Sequence, residues 1–133
     1  MASKPSAPSS SPLVLDSSCW LEFFKDSDRA DRYATVVHSP ALLIVPVITL
    51  YEVTKKLRRE ISPTVAGQAE SMMRRSQVVD LDAALVRLAI TYALPLADSL
   101  IYATAQAHHA VLWTQDAHFE GLAGVRYFAK DNK

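Results

Sequence analysis

Short apolar runs alternate with amphipathic segments along most of the chain. Five runs are nearly continuous in apolar residues, which is typical of parallel β-strands covered on both faces. These predicted strands cover residues 13–16, 41–45, 77–80, 110–113 and 125–128.

The segments between the strands carry apolar residues at helical spacing. The predicted helices cover residues 17–25, 27–38, 47–60, 63–75, 82–93 and 98–109. Asp16, Asp98 and the pair Ser62-Pro63 stand where helix caps are expected, and Pro95 stops the fifth helix. The alternation predicts an α/β fold with a mostly parallel, five-stranded sheet.

Composition restricts the kind of protein this is. The chain has 133 residues, half of them hydrophobic and 21% charged, as in a soluble cytoplasmic domain. Residues 1–12 are rich in Ser and Pro and are expected to be a disordered leader, so that residues 13–133 form a single domain. Its one cysteine, Cys19, excludes an internal disulfide and a cysteine-based zinc cluster. The formal net charge of zero excludes nucleic-acid binding by bulk charge alone but leaves a local basic patch open.

Four carboxylates are expected to converge at one edge of the sheet. Asp16 ends the first strand, Asp116 follows the fourth, and Asp98 begins the helix that leads into the fourth strand. Glu52 lies in the second turn of the helix after the second strand. All four positions fall near the carboxyl edge of the sheet, where α/β folds bind ligands.

Each acid also has an ordinary structural interpretation. Asp16 and Asp98 suit helix caps, and Asp116 suits a turn. Glu52 precedes Lys55 and Lys56 at the spacing of a surface salt bridge. The set as a whole is harder to explain this way, because close carboxylates repel each other and need a cation.

An all-oxygen cluster suits Mg²⁺, or Mn²⁺ as its substitute, better than Zn²⁺. Hard divalent ions held by carboxylates serve phosphoryl chemistry, since they orient a water and lower its pKa. The four acids therefore predict metal-dependent phosphoryl chemistry.

Four segments, in this order, resemble the motifs of PIN-domain nucleases. They are Leu13-Val14-Leu15-Asp16-Ser17-Ser18, Thr49-Leu50-Tyr51-Glu52-Val53, the stretch from Leu96 to Ala105 around Asp98, and Leu112-Trp113-Thr114-Gln115-Asp116. The resemblance extends over residues 13–128 and is greatest to the VapC-type toxins of toxin–antitoxin pairs, which are single PIN domains of similar length.

The resemblance implies a PIN-like three-layer α/β/α fold and an endoribonuclease that depends on Mg²⁺ or Mn²⁺. It also implies a homodimer, an RNA substrate and inhibition by a cognate antitoxin protein. It assigns Asp16, Glu52, Asp98 and Asp116 as catalytic, metal-binding acids. Thr114 would hydrogen-bond one of these carboxylates and fix its orientation.

Other residues have more than one interpretation. The basic run Lys55, Lys56, Arg58 and Arg59 is either a track for RNA phosphates or a solvated helix face. Tyr51 is expected to pack in the core rather than to stack on a base. Cys19 is expected to be a small core residue rather than a nucleophile. His118 follows Asp116 closely, but contact with substrate is the less favoured interpretation.

Three other functions are consistent with parts of the pattern. A non-catalytic PIN-like module would bind RNA or protein without cutting it. A receiver-type phosphoacceptor domain would use Thr114 and Lys130, but it leaves Glu52 and Asp98 without a role. A haloacid-dehalogenase-like phosphatase would need a second Asp where Ser18 stands.

Overall fold

A computed structural model describes residues 11–130, and all five predicted strands and six predicted helices are present. The strands are β1 (Leu13–Leu15), β2 (Ile44–Pro46), β3 (Gln77–Val79), β4 (Val111–Thr114) and β5 (Val125–Tyr127). The helices are α1 (Ser17–Phe24), α2 (Ala30–Val37), α3 (Val47–Glu60), α4 (Pro63–Met73), α5 (Ala83–Ala89) and α6 (Leu96–Ala107). The predicted leader falls almost entirely on residues 1–10, which lie outside the described residues.

The strands pair in parallel as two groups that meet at the centre of the fold. One group has the order β1-β4-β5, and the other pairs β2 with β3. A single parallel bridge between Leu13 and Leu43 joins β1 to the residue just before β2. The spatial order is therefore β3-β2-β1-β4-β5, with β1 in the middle.

Successive residues of each strand pack into different layers, as the apolar runs predict. In β1, Leu15 packs with α1 to α4, whereas Val14 packs with α6. In β4, Trp113 packs on the same side of the sheet as Leu15, and Leu112 packs on the same side as Val14. Both faces of the sheet are covered, and the fold is the expected three-layer α/β/α arrangement.

The prediction that Asp98 caps α6 is wrong. The helix begins two residues earlier, at Leu96, because Pro95 has the extended backbone of the cap position. Asp98 is thus the third residue of the helix, in the first turn, where the partial positive charge of the helix end stabilises a carboxylate. This places Asp98 at the same sheet edge as predicted.

Tyr51 does not belong to the buried face of α3. The buried residues are Thr49, Leu50, Val53 and Leu57, so Tyr51 lies outside this set and is 55% exposed. Its hydroxyl accepts a hydrogen bond from Lys55 Nζ at 2.8 Å. The expectation that Tyr51 packs in the core is therefore wrong.

No helix within residues 11–130 is both long and apolar enough to cross a membrane.

Candidate active site

The four acids singled out in the sequence line one cavity of about 250 Å³ at the carboxyl edge of the sheet. They come from four separate segments: Asp16 after β1, Glu52 on α3, Asp98 on α6 and Asp116 after β4. Ser17, Ser18, Leu21 and Lys56 complete the lining. The convergence predicted from strand ends and helix starts is thus present in the structure.

Asp16 is held in place by its role as the cap of α1. Its Oδ1 accepts a hydrogen bond from the backbone N–H of Ser17 at 2.8 Å, and its own N–H donates to the Trp113 carbonyl of β4 at 2.9 Å. The residue is only 5% exposed. Burial, with a smaller contribution from the charge of Asp98, raises the pKa of Asp16 to about 6.

Asp98 interacts electrostatically with each of the other three acids. Burial raises its pKa, and the charges of Asp116 and Glu52 raise it further, against the lowering effect of a hydrogen bond from His118. Its charge in turn raises the pKa of Asp16. Asp98 is therefore the acid whose charge interacts with those of the other three.

Glu52 is oriented by a contact between α3 and α1. Ser17 Oγ, in the first turn of α1, donates a hydrogen bond to Glu52 Oε1 at 2.6 Å. Ser17 thus touches two of the acids, since its N–H also binds Asp16. The motif Asp16-Ser17-Ser18 gave no indication of this second contact, which depends on how α3 packs against α1.

Thr114 connects Asp16 to Asp116. Its buried Oγ1 donates to Asp16 Oδ2 at 2.8 Å and accepts from the Asp116 N–H at 2.9 Å. The first of these is the hydrogen bond to a carboxylate that the resemblance implied. Ser18 Oγ adds a longer contact to the same Asp16 oxygen, at 3.2 Å.

His118 is the site residue that sequence reasoning underrated. Its Nδ1 lies 3.0 Å from Asp98 Oδ2 and 3.2 Å from Asp116 Oδ1. Asp116 caps the 3₁₀ helix Ala117–Phe119 by accepting the His118 N–H at 2.9 Å, and this turn directs the ring toward both acids. Only the spacing Asp116-Ala117-His118 could have signalled it, and that spacing alone is weak.

His118 should titrate above the ordinary value of a histidine in the metal-free protein. The hydrogen bond to Asp98 is the main cause, because it favours the protonated ring, and Asp116 contributes as a second negative charge. An NMR titration should place its pKa above 6.5, and Asp98→Asn should lower that pKa. The variant His118→Gln assigns the resonance, and a His118 pKa below 6.5 in the wild type would contradict the geometry described here.

The donor set at the cavity and beside it fits a divalent cation. Asp98, Asp116 and His118 offer ligand atoms that all lie within 4.8 Å of one another. Carboxylates that raise each other's pKa in a partly buried cavity need compensating positive charge, and a cation bound by oxygen ligands supplies it.

Cys19 does not take part in this chemistry. The thiol is buried in the core beside Tyr33, as predicted, and its Sγ lies 3.4 Å from the Trp113 carbonyl. Burial, with a smaller contribution from Asp16, raises its pKa to about 12, so the reactive thiolate is absent at neutral pH.

Comparison with known proteins agrees with the fold. A family model described as PIN domain matches residues 13–125. No curated protein sequence matches the chain. Similar solved structures include a toxin–antitoxin complex from Klebsiella pneumoniae, with 20% identity, a TM-score of 0.73, and coverage of 86% of this chain and 95% of that one.

Two further structures are similar over nearly their full length. One is VapC20 of Mycobacterium tuberculosis, described as a toxin that cleaves the sarcin–ricin loop, with 17% identity, a TM-score of 0.71, and coverage of 85% of this chain and 96% of that one. The other is DNA-bound VapBC from Salmonella typhimurium, with 18% identity, a TM-score of 0.65, and coverage of 89% and 97%. At such low sequence identities, the similarity to these structures establishes a shared fold and nothing more.

Proposed function

The chain belongs to the PIN domain family, and from that premise we propose that it is a divalent-metal-dependent endoribonuclease, the toxin of a type II toxin–antitoxin pair. The observation that carries the proposal is the set of four carboxylates on one cavity. Asp16, Glu52, Asp98 and Asp116 are proposed as the catalytic and metal-binding acids. The cofactor is proposed to be Mg²⁺, with Mn²⁺ as a substitute.

The residues at this site have different proposed roles. The four acids would hold the cation, which when bound polarises the phosphodiester and makes a water more acidic. Thr114 orients the Asp16 carboxylate and Ser17 orients that of Glu52, each through a hydrogen bond. Lys56, on the cavity wall, offers a positive charge to the RNA phosphate.

The proposed antitoxin partner rests on the structural neighbours, whereas the proposed homodimer rests on the resemblance to VapC-type toxins. Two of the similar structures described above are toxin–antitoxin or VapBC complexes, and the chain spans nearly the whole length of the neighbours compared above. We propose that a cognate antitoxin protein binds this chain and inhibits it, and that the chain forms a homodimer.

Cleavage of a mixed cellular RNA pool by the purified chain tests the proposed function. The reaction is run with Mg²⁺ or Mn²⁺, with EDTA, and with the variant Asp98→Asn. The matched control is Asp80→Asn, which neutralises an exposed acid that also follows a strand but does not line the cavity. Cutting that requires metal and is lost only in Asp98→Asn supports the proposal.

The absence of cutting by folded, antitoxin-free protein across several RNA classes would overturn it. In that case RNA binding without cleavage would favour the non-catalytic binding module instead.

A further inference from the structure

A second cavity adjoins the one that holds the acids. It measures about 210 Å³, shares Ser18, Leu21 and Lys56 with the acid cavity, and is lined by three lysines and one acid, Glu22. They are Lys25 at the end of α1, Lys56 on α3 and Lys130 after β5. We call this cavity the lysine groove.

The lysine groove differs from the basic run in the sequence. Of the basic run from Lys55 to Arg59, only Lys56 lines either cavity. Lys55 instead contacts Tyr51, with its Nζ 2.8 Å from the hydroxyl oxygen and 5.1 Å from the ring centre. Lys25 and Lys130 are remote from Lys56 in sequence, and only the packing of α1 and the segment after β5 brings the three together.

A carboxylate of the chain itself binds the cations at one end of the lysine groove. Glu60 Oε1 lies 2.5 Å from Lys25 Nζ, and Glu60 Oε2 lies 3.9 Å from Lys56 Nζ and 3.7 Å from Arg59 Nη2. Lys25 and Lys56 line the groove, whereas Glu60 and Arg59 lie beside it, so the carboxylate occupies two of the charges that a phosphate in the groove would meet. These pairs are exposed, so each is weak and a competing anion can displace the carboxylate.

The charge of the helix end does not explain the position of Glu60. It is the last residue of α3, where the partial negative charge of the helix end disfavours an acid. The hydrogen bond from Lys25, followed by the charges of the nearby cations, lowers the pKa of Glu60 and keeps it ionised. Its interaction is therefore with the cations of the groove.

An RNA strand that reaches the acid cavity brings further phosphates with it. The four carboxylates repel this polyanion, and cations on the adjoining surface offset the repulsion. Lys56 lines both cavities and thus marks the point where a strand would leave the acids and enter the groove.

We propose that a phosphate next to the scissile one binds in the lysine groove, against Lys25, Lys56 and Lys130, and that Glu60 competes with it and so limits the affinity for RNA. This inference rests on the proposed function, since it takes RNA as the substrate of the acid cavity.

Equilibrium binding of a labelled single-stranded RNA to the full chain tests the proposal. Fluorescence anisotropy is measured in EDTA over a range of salt concentrations, so that no cutting interferes. Glu60→Gln should tighten binding by ~3-fold or more at low salt and steepen the salt dependence, because it frees the groove cations. The double variant Lys25→Gln/Lys130→Gln should weaken binding and reduce the salt slope by about 1 to 2.

The matched control is Glu70→Gln. It removes the same charge from an exposed pair, since Glu70 Oε2 binds Arg74 Nε at 2.8 Å on α4, outside the groove lining. Equal effects of Glu60→Gln and Glu70→Gln would mean that only net charge matters and would overturn the proposal. Unchanged binding by the lysine variant would also overturn it.

Two further outcomes separate this proposal from the nuclease proposal. Cutting of RNA by a chain whose Glu60→Gln variant binds no better than Glu70→Gln refutes the groove alone. RNA binding with the expected response, but without any cutting, refutes the nuclease alone.

A polyglutamate peptide that binds as tightly as RNA and responds equally to Glu60→Gln would assign the groove to an acidic protein segment instead.

Discussion

Replacing Asp16 by Asn should abolish metal-dependent RNA cleavage and at the same time raise the free energy of unfolding. The carboxylate is 5% exposed, and burial raises its pKa from 3.8 to about 6. The folded protein therefore favours the protonated form more than the unfolded chain does, and at neutral pH it bears the cost of an ionised buried group. A shift of this size corresponds to roughly 3 kcal/mol, of which the amide should recover about 1 to 2 because it also alters the contact with Thr114.

The sign of this effect fixes its pH dependence. Below pH 3.8 Asp16 is protonated in both the folded and unfolded chains and costs nothing. As the pH rises toward 6, the unfolded chain releases the proton more readily than the folded one, so the wild type loses stability. The advantage of Asp16→Asn should be small at the acid end of this range and complete above about pH 6.

Chemical denaturation of both proteins in EDTA across this pH range measures the effect. Adding Mg²⁺ should narrow the difference, because a cation among the wild-type carboxylates offsets their repulsion. Asp80→Asn is the control for charge, since its carboxyl is exposed. An Asp16→Asn variant that cuts RNA as fast as the wild type would refute the assignment of this residue.

Replacing Thr114 by Val should reduce cleavage by about 10- to 100-fold, the usual cost of losing a group that orients a metal-binding residue. The hydroxyl is fully buried and serves both Asp16 Oδ2 and the Asp116 N–H. Valine keeps the shape but leaves both partners without this hydrogen bond, so the free energy of unfolding should fall by about 1 to 3 kcal/mol.

Two variants separate the hydroxyl from the rest of the side chain. Thr114→Ser keeps the hydroxyl and should retain most of the activity. Thr49→Val removes another fully buried hydroxyl, one that has no hydrogen-bond partner among residues 11–130, and should not lower stability. Cleavage by Thr114→Val within twofold of the wild type would show that the hydrogen bonds do not orient the acids.

The backbone scaffold of the site follows from local sequence signals. Near-continuous apolar runs specify buried parallel strands, and an Asp directly after such a run, as at Asp16, caps the next helix at the sheet edge. The start of α6 was predicted two residues too late, because Asp98 resembles a cap residue although Pro95 occupies the cap position. This small shift does not change which edge Asp98 reaches.

Contacts between distant segments could not be predicted in this way. His118 reaches Asp98 only because a 3₁₀ turn after Asp116 directs its ring there. Tyr51 lies outside the core because the buried face of α3 is set by its neighbours α1 and α4. The three lysines of the groove come from segments that no local pattern relates.

Among residues 11–130, one bridge, between Leu13 and Leu43, joins the two halves of the sheet. The arrangement of the four acids therefore depends on how closely these halves stay packed together. Asp16 and Asp116 belong to the half that contains β1 and β4, whereas Glu52 follows β2, and the Ser17–Glu52 hydrogen bond crosses between them. A fluctuation that parts the halves would separate the acids while each half keeps its own strand pairing. Activity should then disappear before the secondary structure does, so that mild denaturant inactivates the protein ahead of its unfolding transition.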